Sequence, residues 1–444
     1  MQKVIDFIKW IVHRFEDISP KSLKGPLFYV TFATFINNFV SFVIQIAAAR
    51  ALEVREFGIF SLAISVVFLT EIIGEFGLNL ATIRFFNKYN KDPKKQEVLL
   101  GSVLIFKSGI FICLLLFSFP ISQLFAHRIV GGENKNWVLF GVALVTGGLL
   151  FFWTYLQSLF QCYRQFNKLA TYIILYSGLR LVTLVMIYTL IGGDSLTWLL
   201  SIYTIPTFIL FVLGIIPIVK KLGVLSIIGS QESISILKEA LGYSKWVALT
   251  GIAYTAMLYL VRFILATRTS IEEVGIFSAG MTFTIVFTNL NTAIRAVFFP
   301  KVTSFERQEE IKRYLSRLSR IAPYYAMLSL LGIACLGFLQ WAVLGQKYRQ
   351  ALPIFLVTAV AFAISVFIST QTMLLHTMMR PDIEAKVDIL SLIILTILAY
   401  LVTPYFGAFG CAFLYSGVSM ARAWSKVIIM NKILERSNVE KKWK

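Results

Sequence analysis

The chain alternates long apolar runs with short polar ones, and each apolar run is about as long as a bilayer is thick. Roughly 20 apolar residues, rising about 1.5 Å each, cross a hydrocarbon core about 30 Å thick. Twelve such runs stand out, at 26–49, 57–82, 98–120, 136–160, 169–191, 196–219, 243–266, 275–299, 321–344, 351–376, 386–404 and 408–430. Backbone amides cannot stay unpaired in lipid, and barrel strands would be near ten residues long with strict alternation. The pattern therefore predicts an all-α integral membrane protein with twelve transmembrane helices.

The pattern also repeats. Glu56-Phe-Gly-Ile-Phe-Ser61 opens the second run and Glu273-Val-Gly-Ile-Phe-Ser278 opens the eighth, so Gly58 recurs as Gly275 one half-chain later. A looser echo, Ala81-Thr-Ile-Arg84 against Thr292-Ala-Ile-Arg295, follows each copy. Two pseudo-symmetric six-helix lobes are the expected plan, as in many transporters. The expected division is a cytoplasmic amphipathic segment at 1–25, an N-lobe at 26–219, a cytoplasmic linker at 220–242, a C-lobe at 243–430 and a basic tail at 431–444. Within 3–18 the residues Val4, Ile8, Ile11, Phe15 and Ile18 share one helical stripe, as in a helix lying on the inner leaflet.

Composition agrees with the pattern: 57% of residues are hydrophobic and mean hydropathy is +0.76. The net charge of +19 would raise nucleic acid in a soluble protein. Its distribution answers otherwise. With the N-terminus inside, 31 of the 42 Lys and Arg lie in inner segments and seven in outer loops. That asymmetry places both termini in the cytoplasm of a multi-pass plasma-membrane protein, and anionic headgroups account for the excess charge, so no nucleic-acid partner is expected. The four cysteines and three histidines are scattered, which predicts small buried cysteines, no disulfide framework and no metal. No Walker loop, nucleophile elbow or dinucleotide fingerprint occurs, so no catalytic residues, cofactor or nucleotide are expected.

Ionisable groups inside the runs are the candidate chemistry, because each costs about 2.5–3.5 kcal/mol to insert at mid-bilayer. Glu71, Lys107 and Arg180 fall near mid-membrane on helical rise. Glu75 and Arg295 fall near the inner boundary and Arg262 near the outer one, where long side chains reach water. Glu71 and Lys107 differ in depth by about one turn and are expected to pair, structurally or for gating. Glu71 and Glu75, at i and i+4, are candidates for ion coupling. Polar stripes point to a wet interior: Asn37, Asn38, Ser41 and Gln45 on the first run, Tyr176, Ser177 and Arg180 on the fifth, Thr284, Thr288, Asn291 and Arg295 on the eighth. With Lys107, Arg180, Arg262 and Arg295 against two carboxylates, the expected cargo is anionic, phosphate or diphosphate fitting best.

Four stretches carry a family resemblance: Ala49-Arg-Ala-Leu-Glu-Val-Arg-Glu-Phe-Gly-Ile-Phe-Ser61, Gly77-Leu-Asn-Leu-Ala-Thr-Ile-Arg84, Arg380-Pro-Asp and Thr403-Pro-Tyr-Phe-Gly-Ala-Phe-Gly-Cys-Ala412. Taken in order over the whole chain, they resemble the O-antigen type polysaccharide flippases of the multidrug/oligosaccharidyl-lipid/polysaccharide exporter superfamily. The resemblance implies two lobes in a V, a cavity lined chiefly by helices 1, 2, 7 and 8 with Glu71 and Arg295 in its wall, and alternating access. It also implies a polyprenyl-diphosphate-linked oligosaccharide cargo moved to the outer leaflet, with membrane lipids and polysaccharide polymerase machinery as partners. An ion-coupled multidrug or metabolite antiporter of the same superfamily would favour carboxylates around a cationic cargo. A membrane glycan polymerase or ligase would carry a large outer loop, which this chain lacks.

Overall fold

The computed structural model describes residues 21–130, 136–190, 196–222, 230–302, 305, 308–377 and 381–440. Among these residues every element is helical: α1 (Lys21–Ala51), α2 (Val54–Glu75), α3 (Leu78–Lys88), α4 (Pro93–Ile129), α5 (Asn136–Cys162), α6 (Phe166–Leu190), α7 (Leu196–Leu222), α8 (Gln231–Arg268), α9 (Ile271–Val302), α10 (Gln308–Leu344), α11 (Ala351–Thr372), the short α12 (Leu374–Thr377) and α13 (Pro381–Glu440). A 3-10 turn, Gln346–Tyr348, joins α10 to α11.

Ten helices among the described residues are long and apolar enough to cross a membrane. The expected sixth segment falls on α7, whose apolar stretch is Leu199–Gly214. The expected eleventh and twelfth share α13, which bends at Gly407, where φ is 54°. The outward faces are apolar, with Leu116, Leu190 and Leu330 among the most exposed side chains, as lipid-facing surfaces require. Residues 231–242 of the expected linker are helical and run on into α8, whose Ser230 cap accepts from the Ser233 amide at 3.2 Å. One expectation needs correction. Cys113 and Cys335 are exposed on their helices, where a small apolar side chain faces lipid without penalty; Cys162 and Cys411 are buried. The amphipathic stretch 3–18 lies outside the described residues.

In the first half α1 packs on α6, α2 on α5, and α5 on α4 and α7; in the second, α8 packs on α13, and α11 on α9, α10 and α13. The halves meet through α2 against α8 and α9, and α1 against α9. The two copies of the sequence repeat are where they cross. A Cβ on Gly58 would lie 2.2 Å from the Ile271 carbonyl oxygen, and one on Gly275 would lie 2.1 Å from that of Val54. Only glycine permits that approach.

Polar contacts close the same end of the bundle. Arg55 lies 3.6 Å from Glu272, and Lys347 reaches Glu53 at 3.5 Å and also donates to the Leu52 carbonyl. The two copies use their glutamates differently: Glu56 caps its own helix, accepting from the Glu53 amide at 3.0 Å, while Glu273 accepts from the Ala408 amide at 2.6 Å and ties α9 to the bend of α13.

At the opposite end the contact between halves is one-sided. Lys88 and the Tyr89 hydroxyl both donate to Glu239, at 2.6 and 2.9 Å, Ser102 and Ser233 share a 2.7 Å hydrogen bond, and Arg84 lies 4.1 Å over the Tyr243 ring. On the other side, α1 and α9 meet edge to face at Phe42 and Phe283, 5.2 Å between ring centres. Farther from the repeat, Phe28, Phe32, Phe35 and Phe39 of α1 are exposed.

Candidate functional site

The polar positions spaced along one face of each helix converge on a cavity of about 410 Å³ between the halves. From α1 come Asn37, Ser41 and Gln45, one turn apart in succession, and from α6 Tyr176 and Arg180, also one turn apart. The C-terminal half adds Arg262 and Tyr259 from α8 and Thr284 and Thr288 from α9. The wall therefore draws on more helices than the four that the resemblance implies, with Trp153 of α5, Tyr203 of α7 and Phe362 of α11 completing it.

Two guanidinium groups face this cavity from opposite halves. Arg180 is only 2% exposed; its Nη1 donates to Ser41 Oγ at 2.9 Å and to Asn37 Oδ1 at 3.4 Å, and its plane lies 4.5 Å over the Tyr203 ring. Ser177 donates to the same Asn37 oxygen at 3.3 Å, which fixes that amide as an acceptor. Arg262 Nη1 donates to Ser65 Oγ at 3.0 Å, and the group sits 5.0 Å over Tyr259. Neither arginine has a carboxylate within 4 Å among the described residues. Arg180 Nε and Nη2 and Arg262 Nε make no hydrogen bond among the described residues. Buried donors left unmade are costly, and these are aligned by neutral hydroxyls, amides and ring faces that cancel none of the charge.

The other expected residues are distributed unevenly. Asn38, Gln45 and Glu71 line the cavity, and Glu71 is the one carboxylate in its described wall. Gln45 donates to the Tyr203 hydroxyl at 3.4 Å, bracing the ring under Arg180. Glu75 is partly buried on α2 and outside the wall. Arg295 lies on α9, but its side chain is outside the described residues. Lys107 is corrected: it is fully buried, outside the cavity, its ammonium donating to the Phe151 carbonyl at 3.4 Å and lying 5.4 and 5.7 Å from the Phe151 and Tyr155 rings. The expected Glu71–Lys107 ion pair is not formed; the lysine turns toward α5, whose ring faces and carbonyl supply its partners.

A second polar chamber, about 360 Å³, lies within the C-terminal half and was not anticipated. Asp388, 1% exposed, accepts from Lys426 at 2.8 Å and from Arg422 at 3.4 Å. The signal was present in the sequence: Asp388 falls inside the eleventh run, and Arg422 and Lys426 sit at i and i+4 inside the twelfth. Counting those two cations with the following basic tail concealed them.

A family model described as a polysaccharide biosynthesis protein matches residues 23–306, more than half of the chain. The chain belongs to the polysaccharide biosynthesis protein family. No curated protein matches it in sequence. Among solved structures, this family member is similar to an inward-facing multidrug resistance MATE family transporter of the MOP superfamily, with a TM-score of 0.71 at 13% identity over 90% of this chain and 95% of that one. It is also similar to the lipid II flippase MurJ in an inward closed conformation, with a TM-score of 0.70 at 12% identity over 90% of this chain and 87% of that one. A MOP superfamily transporter from Pyrococcus furiosus gives 0.61 at 14% identity over 92% and 95%. At these identities the likeness is one of fold, that of the MOP superfamily. Fold and apolar helices together make the chain a multi-pass membrane protein.

Proposed function

We propose that the chain moves a polyprenyl-diphosphate-linked oligosaccharide from the inner to the outer leaflet of the plasma membrane by alternating access, for surface polysaccharide assembly. The observation that carries this reading is the pair Arg180 and Arg262, facing one cavity from opposite halves, hydrogen-bonded only to neutral groups and with N–H groups left unbonded among the described residues. A diphosphate supplies what those groups lack, since guanidinium forks match phosphate oxygens. Two guanidinium groups against the single carboxylate of Glu71 leave the wall net cationic. The exposed aromatic stripe of α1, from Phe28 to Phe39, runs beside the cavity-lining Asn37 and Asn38 and offers a lipid tail a surface within the bilayer.

The positive-inside asymmetry orients the repeat end outward and both termini inward. On that orientation the sealed repeat end makes this an inward-accessible state. Polysaccharide polymerase machinery would take the product on the outer side.

A second reading, an antiporter of cationic drugs or metabolites, draws on Glu71, which shares the cavity. Pocket polarity separates the two; in the Pyrococcus furiosus transporter, reverse polarity of the binding pocket suggests a different function. The deciding experiment reconstitutes the purified chain in vesicles with labelled polyprenyl-diphosphate oligosaccharide and follows its arrival in the far leaflet. Transfer that Arg180→Gln slows supports the flippase; organic-cation efflux that Glu71→Gln abolishes, with no lipid transfer, supports the antiporter.

A further inference from the structure

The chamber inside the C-terminal half has chemistry unlike that of the central cavity. The two share Thr288 and Phe362 in their walls, so a molecule held in one is next to the other. Its described charges balance, Glu384 and Asp388 against Arg422 and Lys426. Both cations are already bound to Asp388, at 3.4 and 2.8 Å. Little net field remains to hold a phosphate.

What remains is a surface for hydroxyl groups. Ser369 donates to Asn291 Oδ1 at 2.5 Å, and Thr372 donates back to the Ser369 carbonyl at 3.2 Å, so each hydroxyl spends its proton and keeps its lone pairs. Arg422 Nε and Ser365 Oγ are buried without a hydrogen bond among the described residues and supply the complementary donors. Tyr254, with Arg422 5.2 Å over its ring, and Tyr415 add aromatic faces. The volume falls within the roughly 300–1,000 Å³ of small-molecule sites. Many acceptors, a few fixed donors, ring faces and no net charge match a neutral pyranose, whose hydroxyls both donate and accept.

We infer that this chamber binds the saccharide end of the cargo, a neutral sugar, while the diphosphate lies between Arg180 and Arg262; the inference rests on the flippase reading above. The cargo is then recognised in two places by two chemistries, charge in the cavity and hydroxyl pattern in the chamber.

The test uses the purified full chain and three probes: polyprenyl diphosphate with no sugar, with glucose, and with glucuronate. Glucose is expected to tighten binding about tenfold over the bare diphosphate, as a few new hydrogen bonds would, and glucuronate to gain less. Ser365→Leu and Thr250→Leu, which fill the chamber with apolar volume, should erase the glucose gain and leave the bare diphosphate within about twofold, which also certifies that the variants are folded. Equal affinity for all three probes, or variants that weaken bare and glycosylated probes alike, overturns the inference and leaves the flippase reading standing. Failure of Arg180→Gln and Arg262→Gln to weaken the bare diphosphate overturns the flippase reading itself, and this one with it.

Discussion

The central cavity and the C-terminal chamber hold the same kinds of group and put them to opposite use. In the cavity, Arg180 and Arg262 are aligned by Asn37, Ser41 and Ser65, none of which carries charge. In the chamber, Arg422 and Lys426 are pinned on Asp388. A cation held by neutral partners keeps its field for a ligand; one held by a carboxylate spends it on the fold. Counting intramembrane charges therefore predicts less than asking what each one touches.

Removing the free pair should have the largest effect. Hydrogen bonds to charged groups contribute about 1.5–3 kcal/mol each, so Arg180→Gln with Arg262→Gln should cost about 3–6 kcal/mol of diphosphate affinity, roughly 10²- to 10⁴-fold. Titration with the sugar-free polyprenyl diphosphate measures it. A loss below about tenfold would mean that those donors do not meet the ligand.

The pinned pair should respond in stability instead. Asp388→Asn leaves two partly buried cations with a neutral acceptor, and breaking a buried pair in this way costs about 3–5 kcal/mol at most, less here because the cations are partly exposed and the amide oxygen still accepts a bond. A melting temperature lowered by several degrees is expected, with bare-diphosphate affinity retained. Restored stability in the double variant Asp388→Asn, Lys426→Met would show that the cost lies in the stranded charge. Affinity lost in step with stability would erase the distinction between the two sites.

Much of this was legible in the sequence, and the limits were physical. Run length gave helices because lipid leaves the backbone no alternative. The Gly58 and Gly275 repeat gave the two-lobe plan, while the crossing of the halves at those glycines came only from the packing, because a sequence repeat does not say which backbones touch. The stripes through Asn37, Ser41, Arg180 and Thr288 found one cavity, because helical periodicity alone decides which positions share a face. Depth along a helix is a different quantity from direction around it. Lys107 and Arg180 were equal by depth, yet one side chain ends against Phe151 and the other in the cavity. Asp388, Arg422 and Lys426 were missed because a boundary drawn a few residues early turned partly buried helix cations into loop charges.

The inward-accessible state proposed above requires the repeat end to stay shut. With a Cβ on Gly275 placed 2.1 Å from the Val54 carbonyl, Gly275→Ala cannot keep the crossing. A shift of about 1.4 kcal/mol toward the open form raises its population about tenfold. In a chain with its native cysteines replaced, Ser61→Cys, in the cavity wall, should react with an impermeant maleimide from the repeat-end side about tenfold faster when Gly275→Ala is added. An unchanged rate would mean that the glycine contact is not what seals this end.

The smallest effect is the most discriminating. Lys107 has the charge of a cavity residue but its contacts are a carbonyl and two ring faces, and its side chain is wholly buried. Lys107→Met keeps the length of the stem, removes a buried ammonium whose cation–π contacts contribute about 0.5–2 kcal/mol, and removes the cost of desolvating it as well. The two terms oppose each other, so stability should change little and diphosphate affinity should stay within about twofold of the unaltered chain. A tenfold loss of affinity from this substitution would place the ammonium's field in the cavity after all, and the rule drawn from Arg180 and Asp388, that partners rather than charge decide the role, would fail at its plainest case.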